Sequence, residues 1–409
     1  MMELRQFTLP NGIRLVHHPV SSRVAHCGVF IGAGTRDETS AEHGIAHFIE
    51  HTIFKGTKKR NVFQILNRLE NVGADLNAFT TKEETVIYAS FLKVDYDRTL
   101  ELFQDILFDS VYPEKEIGKE KQVVIDEIRS YQDSPSDQVF DDFEDQVYKG
   151  HALGKNILGT ERSVRKFGRE DIFGFIRRNY HPGRIVIASV GDIDLKRLTA
   201  LAAKYFNQDP GRGKPLPRKP FRGYRPAAVT HKKKIFQVHS VTGGPAYSYT
   251  DPKRVPLALL NNMLGGPILN SRLSLALRER NGLTYQNESV YTPYSDTGIV
   301  SIYFGTDRIH YEKALGIVHK ELTRLRTQKL TATQLSIIKK QLTGQLSISR
   351  ESNAGLMLAM GKSYLLQNRF DPLEKIIADI EETTAGTLLE IANEVFDPAR
   401  LSQLTFMPE

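Results

Sequence analysis

The segment Phe206–Pro226, FNQDPGRGKPLPRKPFRGYRP, lies near the middle of the 409-residue chain and predicts where the chain divides. It holds five prolines and three glycines. Because proline removes a backbone donor and glycine weakens regular elements, the segment is typical of a linker. A chain of this length also exceeds what one hydrophobic core usually serves. We therefore expect domains at residues 1–205 and 227–409, joined by a linker at residues 206–226.

The sequences on the two sides of this linker resemble each other at a nearly constant offset. Gly56 corresponds to Gly266, an offset of 210 (266 − 56), and Lys121 corresponds to Lys340, an offset of 219 (340 − 121). Weak similarity at a period near half of a chain is typical of a duplicated domain. The linker is therefore expected to join two copies of one domain.

Both halves contain strand and helix patterns. Apolar and β-branched runs predict strands at Val24–Ile31, Thr85–Leu92, Ile185–Val190, Gln237–Val241 and Gly298–Phe304. Helical periodicity predicts helices at Leu100–Leu107, Tyr311–Leu325 and Ala354–Leu366. The pair Asn11-Gly12 predicts a hairpin turn, and Thr331 with Gln334 forms a capping-box pattern at a helix start. We predict an α+β fold class with two homologous domains, each a mostly antiparallel sheet packed with helices.

The motif His47-Phe-Ile-Glu50-His51 lies in a stretch with helical apolar spacing. Residues four apart on a helix are about 5–6 Å from each other on one face, so the two imidazoles can share a zinc ion with Glu50 beside them. A chance match is on the order of a few per cent, and the alternative is a helix whose histidines line a polar face. His43 is about 12 Å along the helix axis from His51, too far to share that ion, and is expected to start or support the helix.

A third ligand would have to come from another element. The helical pattern from Glu116 to Tyr131 offers Glu120 and Glu127, seven residues and two turns apart, beside an apolar stripe. Burying an unpaired carboxylate is expensive unless a metal ion or a partner compensates. Spacing alone leaves open whether these glutamates are functional or only border the buried face.

The duplication supplies an independent argument that these polar residues are functional. In the second half, the positions that correspond to His47, Glu50, His51, Glu120 and Glu127 are occupied by Leu257, Leu260, Asn261, Lys339 and Leu346. If both halves share a fold, the fold does not need the polar residues of the first half. They are therefore candidates for chemistry.

The motif followed by Glu127, with Glu120 seven residues earlier, resembles the pitrilysin or insulinase family of zinc peptidases, M16, whose members are also called inverzincins. The resemblance covers nearly the whole chain. Further stretches similar to the family are Gly44-Ile-Ala-His-Phe48, Phe54-Lys-Gly-Thr57, Gly73-Ala-Asp-Leu-Asn-Ala-Phe-Thr80, Gly265-Gly266, Ser271-Arg-Leu273 and Arg278-Glu-Arg-Asn-Gly-Leu-Thr-Tyr285. Small departures are Asp126 and Asn270, and neither belongs to the ligand set. Size and two-domain form fit the subfamily of bacterial and mitochondrial processing peptidases.

The resemblance implies a zinc-dependent endopeptidase that holds one Zn2+ per chain through His47, His51 and Glu127. It implies Glu50 as the base that activates water and Glu120 as the group that orients a ligand histidine. The substrate-binding residues that it implies are Arg278, Tyr285, Asn77 and Ala78, with Tyr285 also donating to the developing oxyanion. For Asn77 a turn residue, and for Tyr285 a packed core tyrosine, are the structural alternatives.

In the family, four such domains form a clam-shaped chamber, and this chain would supply one half of it. A homodimer, or a heterodimer with a related subunit, is therefore implied, in which Arg278 and Tyr285 of one subunit face the zinc of the other. We expect the segment from Asn77 into Thr85–Tyr88 to offer a strand edge to an extended peptide substrate.

Composition favours no other class of partner. The net charge of +7 is modest, and the basic stretches at 212–225 and 232–234 lack a nucleic-acid-binding module. No apolar run is long enough for a membrane span, no secretory signal pattern opens the chain, and Cys27 is the only cysteine. We expect no nucleic-acid or membrane partner and a cytoplasmic location.

Two alternatives to a peptidase remain open. A non-catalytic binding or assembly subunit of the same fold would pair with another chain. A metal-dependent hydrolase of a non-peptide substrate would use the same ligands.

Overall fold

The structure, a computed structural model, describes residues 4–207 and 217–409. Its strands are β1 (Arg5–Thr8), β2 (Arg14–Pro19), β3 (Val24–Ile31), β4 (Asp75–Thr80), β5 (Thr85–Leu92), β6 (Ile185–Gly191), β7 (Ala228–Lys233), β8 (Val238–Ala246), β9 (Thr284–Pro293), β10 (Gly298–Thr306) and β11 (Ser402–Pro408). Its α-helices are α1 (Ile45–Thr52), α2 (Val62–Glu70), α3 (Tyr96–Phe108), α4 (Glu114–Gln132), α5 (Pro135–Val147), α6 (Glu161–Lys166), α7 (Arg169–Asn179), α8 (Leu195–Tyr205), α9 (Arg254–Gly265), α10 (Tyr311–Thr327), α11 (Ala332–Ser349), α12 (Asn353–Gln367), α13 (Leu373–Glu382) and α14 (Ala385–Val395). None of the helices in these ranges combines the length and apolarity that crossing a membrane requires.

The predicted secondary structure agrees with these elements. The strands predicted at Val24–Ile31 and Thr85–Leu92 coincide with β3 and β5, and the other predicted strands and helices match β6, β8, β10, α3, α10 and α12. Strand β8 extends beyond the predicted Val241 through residues such as Gly243, where a Cβ atom would lie 1.9 Å from Val300 O. Glycine lets the backbones approach closely there, so a residue that usually ends a strand continues this one.

The predicted hairpin turn and capping box are also present. β1 and β2 pair antiparallel, and Gly12 takes a φ of +96° in the turn between them. At the start of α11, Gln334 N donates to Thr331 Oγ1 (3.2 Å) and Thr331 N donates to Gln334 Oε1 (3.0 Å). These local signals need no distant partner, which is why sequence alone revealed them.

The two sheets share one topology. The first has the strand order β1-β2-β6-β3-β5-β4, and the second has the order β7-β11-β8-β10-β9. Among the described strands, all but β1 correspond one to one between the sheets. Each sheet then has one parallel pair, β2 with β6 or β7 with β11, and its other pairs are antiparallel. The α+β prediction with mostly antiparallel sheets is confirmed, and the matched strand orders support duplication.

The chain forms two compact units, and each takes a segment from the other half of the sequence. Of the described residues, the first unit contains 4–129, 155–207, 217–218 and 349–370, and the second contains 130–154, 219–348 and 371–409. The units therefore do not follow a single division at the linker predicted for residues 206–226, of which 208–216 lie outside the described residues. The homologous domains at 1–205 and 227–409 stay a prediction.

Helix α12 belongs to the first unit and covers the face of its sheet opposite α1. Its side chains Met357, Met360 and Tyr364 form a buried cluster with Phe30 on β3 and Val186 on β6. A Cβ atom on Gly361 would lie 2.2 Å from the Phe30 ring, so glycine lets the helix approach the sheet closely.

Helix α5 belongs to the second unit and covers one face of the second sheet. Val139, Phe143 and Val147 pack in a buried cluster with Val241 on β8 and Phe406 on β11. The two exchanged helices start 218 residues apart (353 − 135), close to the offset of the repeat. They are therefore equivalent elements of the two halves, each covering the sheet of the other half.

Candidate metal centre

Helix α1 carries His47, Glu50 and His51 and begins at a constrained turn. Gly44 precedes the helix with a φ of +93°, a conformation that favours glycine. The Glu38 carboxylate accepts hydrogen bonds from the backbone N–H groups of Gly44 (2.9 Å) and Ala46 (3.0 Å). These bonds satisfy amides that a helix start leaves without a partner, so the helix begins at a defined position.

The apolar side of α1 fixes the rotation of the helix. Ile45, Phe48 and Ile49 are fully buried in the core of the first unit. The two histidine rings lie on another side, with centroids 4.6 Å apart and planes inclined by 65°. The spacing of four residues therefore places both imidazoles together, as predicted from helix geometry.

Helix α4 brings two carboxylates to the same place. Ile117, Val124 and Ile128 are buried and seat the helix against the core. Glu120 is only 7% exposed, whereas the side chain of Glu127 keeps 41% of its exposure. The sequence predicted that both glutamates border the buried face of α4. In the structure Glu120 lies inside the protein and Glu127 lies at the edge of the buried region.

The ligand atoms of His47, His51 and Glu127 converge. Glu127 Oε2 lies 3.4 Å from His51 Nε2 and 3.8 Å from His47 Nε2. Each residue offers one atom within 4.8 Å of the others, and among residues 4–207 and 217–409 these three form the one such group of His, Cys, Asp or Glu side chains. Ligands about 2.0–2.2 Å from a tetrahedral ion stand about 3.4 Å apart, so small adjustments would accommodate zinc.

Two buried atoms in this group have no hydrogen-bond partner. They are His47 Nδ1 and Glu127 Oε2. A buried carboxylate oxygen without a donor costs free energy, and a bound cation would remove that cost. Two imidazole nitrogens and one carboxylate oxygen are also the donor set of catalytic zinc sites, which leave a fourth position open. The residues therefore fit zinc.

The electrostatics of the two histidines differ. Burial and the neighbouring His51 lower the pKa of His47 to about 4, against the opposite effect of Glu127. For His51, burial also lowers the pKa, but the close contacts with the carboxylates of Glu120 and Glu127 outweigh it and raise the pKa to about 9. The contact with His51 lowers the pKa of Glu127 in spite of burial. The pKa values of the two imidazoles therefore shift in opposite directions, although both rings face the Glu127 carboxylate.

Glu120 lies behind His51, on the side away from Glu127. Its Oε2 is 3.4 Å from His51 Nδ1, and its Oε1 is 2.9 Å from Lys55 Nζ. Burial opposes the ionisation of Glu120, but the contacts with His51 and Lys55 lower its pKa overall. An ionised Glu120 can hold His51 in the tautomer whose Nε2 faces the site.

Glu50 lies beside the ligand group and next to strand β4. Burial raises the pKa of Glu50, while the side chain and backbone of Thr80 have the opposite, smaller effect. Thr80 is the last residue of β4. A carboxylate with a raised pKa is better suited to accept and return a proton near neutral pH.

Strand β4 forms one edge of the first sheet, and Asn77 and Ala78 lie in it. β4 pairs only with β5 among the described strands, so its other edge is free. Asn77 is exposed and donates to Asp75 Oδ1 (2.9 Å), and it is a strand residue rather than a turn residue. The expectation that Thr85–Tyr88 also offers an edge is wrong, because β5 is paired on both sides, with β3 and β4.

Arg278 and Tyr285 lie in the second unit. Arg278 belongs to a short π-helical turn at Ser274–Glu279 and contacts Glu279 at 3.5 Å. Tyr285 is the second residue of β9 and is 89% exposed, so it is not a core tyrosine. Both side chains reach the surface of their unit, where a substrate could contact them.

His43 does not join the ligand group. It lies before the first residue of α1, and its Nε2 is 2.9 Å from Asn156 O. This agrees with its predicted place at the helix start.

Three further residues at the site were not identified from the sequence, namely Glu38, Lys55 and Thr80. Lys55 and Thr80 lie in stretches that resemble the family, and Glu38 lies six residues before Gly44. The contacts of Lys55 and Thr80 are with residues that only folding brings near.

Among the described residues, the second unit has no counterpart of the ligand group. Leu257 and Leu260 are buried on α9, and Asn261 beside them is hydrogen-bonded to Ser289. On α11, Lys339 donates to Glu381 O, and Leu346 packs at the border of the core. The equivalent place is thus filled by packing and by hydrogen bonds, including one from the Lys339 ammonium group.

Comparison with known proteins identifies the family. Residues 15–161 match the family described as "Insulinase (Peptidase family M16)", and residues 166–342 match "Peptidase M16 inactive domain". An uncharacterized zinc protease of Bacillus subtilis is 33% identical over 396 residues, which cover 96% of each chain. This chain belongs to peptidase family M16. The subunit beta of the bovine mitochondrial-processing peptidase is 29% identical, over 96% of this chain and 82% of that protein.

Solved structures show the same M16 fold. A peptidase M16 inactive domain from Pseudomonas fluorescens superposes with a TM-score of 0.93 at 19% identity, over 100% of this chain and 99% of that one. A protease from Helicobacter pylori gives a TM-score of 0.91 at 23% identity, over 100% of both chains. In the M16 chain described here, the candidate ligands lie in the first matched segment, and Arg278 and Tyr285 lie in the second. Membership of the family supports a peptidase-type function, and the names of its relatives imply zinc.

Proposed function

We propose that this protein is a zinc-dependent endopeptidase that hydrolyses peptides or unfolded segments, with one zinc ion per chain. The observation that carries the proposal is the convergence of His47 Nε2, His51 Nε2 and Glu127 Oε2 from two separate helices. Family membership adds the substrate class, since the ligands alone are compatible with other hydrolases.

The residues of the chain have distinct tasks in this proposal. Bound zinc would supply Lewis-acid activation of the attacking water. Glu50 takes the proton of that water and later passes it to the leaving amine. Glu120 holds His51 through Nδ1, which keeps Nε2 directed at the ligand group. The raised pKa of Glu50 supports its role, because a stronger base accepts the proton more readily.

An extended substrate would bind along the free edge of β4. Backbone groups of Asn77 and Ala78 would pair with it as a further strand, a mode that reads main chain rather than side chains. This edge ends at Thr80, next to Glu50, which would bring the peptide bond to the base. Arg278 would hold a substrate carbonyl, and the exposed hydroxyl of Tyr285 would donate to the developing oxyanion.

The decisive experiment separates metal binding from hydrolysis in the full-length protein. We expect Glu50→Gln to keep about one zinc per chain and to lose peptide cleavage, because the base is removed and the ligands remain. Glu127→Gln should lose the metal as well. Asp126→Asn is the matched control, since Asp126 is the adjacent carboxylate on α4 and has a 60% exposed side chain. Metal content and cleavage of a mixed peptide library would be measured together.

A non-catalytic subunit is the second candidate, because the second half of the chain matches a domain described as inactive. It predicts no peptide cleavage by the purified protein even when zinc is bound. Full zinc loading without cleavage of any peptide in the library would therefore support the subunit and contradict the peptidase.

We also propose that the active form is a dimer of this chain, in which Arg278 and Tyr285 of one copy serve the zinc of the other. When a Glu50→Gln protein is mixed with a Tyr285→Phe protein, some mixed dimers would form. In such a dimer one of the two sites has both an intact Glu50 and an intact Tyr285. Partial recovery of activity is expected in the mixture. Activity no higher than the sum of the two separate variants would contradict a shared site.

A further inference from the structure

A continuous line of polar contacts leads from the surface to the ligand group through Lys55. Lys55 lies in the turn that follows α1, four residues after His51, and its backbone N–H donates to Thr52 O (3.1 Å). Its Nζ is 2.9 Å from Glu120 Oε1. The other oxygen of that carboxylate is 3.4 Å from His51 Nδ1. Lys55 and His51 thus hold the two oxygens of one carboxylate.

Charge explains why this carboxylate needs a cation. Glu120 is 7% exposed and lies in a region that also contains the carboxylates of Glu50 and Glu127. A carboxylate that has lost most of its water requires a paired cation or hydrogen-bond donors to stay ionised in place. The side chain of Lys55 is 26% exposed, so it supplies that charge while its ammonium group keeps some water.

The two ligand histidines are supported unequally. His51 has a carboxylate on its Nδ1, whereas the buried Nδ1 of His47 has no hydrogen-bond partner. A hydrogen bond on the far nitrogen sets the tautomer and the orientation of a metal-binding imidazole. The preorganisation of the two histidines for metal binding therefore depends on the contact between Glu120 and His51, and Lys55 in turn holds Glu120.

We propose that Lys55 is a positioning residue for the metal ligand His51, acting by fixing Glu120 between its ammonium group and the imidazole. This inference rests on the proposed zinc site. Without the Lys55 charge, Glu120 loses the partner that holds its Oε1, and its contact with His51 Nδ1 becomes less directed. Zinc affinity falls although no ligand is changed.

The test measures zinc affinity of the full-length protein by competition with a chromophoric chelator. We expect Lys55→Met to weaken zinc binding about tenfold, the lower end of what removing a group behind a metal ligand costs. Lys55→Arg retains the cation and should stay within about threefold of the wild type. Lys55→Gln retains a donor without the charge and should fall between the two.

Lys58→Met is the matched control, because Lys58 lies three residues on and also pairs with a carboxylate, Asp109, at 2.8 Å. That pair does not touch the ligand group, so zinc affinity should not change. Cobalt substitution adds a second readout, since the absorption bands of Co2+ respond to ligand geometry. We expect altered bands in Lys55→Met and unaltered bands in Lys58→Met.

The outcomes separate this inference from the proposed function. If the wild type binds no zinc, both fail. If the wild type binds one zinc per chain and Lys55→Met binds it as tightly, with unaltered cobalt bands, the role of Lys55 is refuted while the zinc site stands. If Lys55→Met and Lys58→Met weaken zinc binding equally, the effect is general destabilisation and the inference also fails.

Discussion

Glu38 holds the start of the helix that carries the candidate ligands His47 and His51. Its carboxylate is 7% exposed and accepts hydrogen bonds from two backbone amides at the start of α1. Burial raises its pKa to about 8, against the lowering effects of the two amides and of Lys155. The ordinary value is 4.5, so the folded protein binds a proton at Glu38 over a pH range in which the unfolded chain does not.

This difference predicts a pH dependence of stability. Between about pH 4.5 and pH 8 the folded state holds more protons at Glu38 than the unfolded state, so the contribution of this group falls as the pH rises. Glu38→Gln removes the titration. Relative to the wild type, the variant should gain stability with rising pH in this range, by up to about 1.4 kcal/mol per pH unit.

Urea unfolding of the metal-free protein at several pH values would measure this effect. Glu70→Gln serves as the control, because Glu70 is an exposed glutamate at the end of α2. Parallel stability curves for the wild type and Glu38→Gln would show that Glu38 titrates alike in the folded and unfolded states.

At the scale of elements, the start of α1 depends on two glycines that touch. A Cβ atom on Gly44 would lie 2.7 Å from Gly159 Cα and 2.7 Å from Leu158 O. Gly159 also has a positive φ, +77°, and a Cβ there would lie 2.5 Å from His43 O. Both backbones must approach closely, and the helix that carries the two histidines starts from this contact.

Gly44→Ala is therefore expected to be more costly than an ordinary substitution at positive φ. Gly73 has a φ of +72° with nothing within 4 Å of an added Cβ atom, so Gly73→Ala suffers only the backbone strain of about 1–2 kcal/mol. Gly44→Ala adds a steric clash with backbone, and we expect a further loss of about 1–3 kcal/mol. It should also weaken zinc binding, which Gly73→Ala should not.

Thermal unfolding and zinc titration of the two variants test this prediction. Equal destabilisation, with zinc affinity unchanged in both, would mean that the loop around Gly159 moves freely and that α1 does not depend on the contact.

At the scale of the whole molecule, the exchange of α5 and α12 makes each sheet dependent on the other half of the sequence. α12 buries Met357 and Met360 against the face of the first sheet that Phe30 and Val186 line. Among the described residues, the buried cluster on that face is formed by strand side chains together with those of α12, so removing residues 349–370 exposes it. Exposure of so much buried apolar surface removes a large part of the stabilisation of a domain.

A fragment of residues 1–207 is therefore expected to be unstable or aggregated, although it contains the whole ligand group. The same fragment with residues 349–370 fused through a flexible linker should be more soluble and more resistant to heat. Circular dichroism melting and binding of a dye for exposed apolar surface would compare the two. A fused segment in which Met357→Asp and Met360→Asp replace the buried methionines is the control.

A fragment of residues 1–207 that unfolds cooperatively and does not bind the dye would contradict the dependence on α12. Equal behaviour of the fused segment with and without the two aspartates would contradict the packing of this face.

Much of the fold and of the candidate site was predictable, because the signals are local. The spacing of His47 and His51 on a helix, the turn at Asn11-Gly12 and the strands β3 and β5 all follow from short-range geometry. Glu127, 76 residues beyond His51 (127 − 51), could be identified only through resemblance to a family. Spacing cannot tell which distant helix approaches another.

The sequence by itself determined the α+β class, the duplication and the helix that carries the imidazoles, since these depend on periodicity and on neighbours along the chain. Only the tertiary structure decided which carboxylate oxygens face the imidazoles, that Lys55 contacts Glu120, that Glu38 accepts the amides at the start of α1, and that β5 is an inner strand. It also decided that α5 packs on the second sheet and α12 on the first, so that each helix covers the sheet of the other half of the sequence. Periodicity shows that a helix has an apolar face, but which sheet that face covers depends on how the complete chain packs.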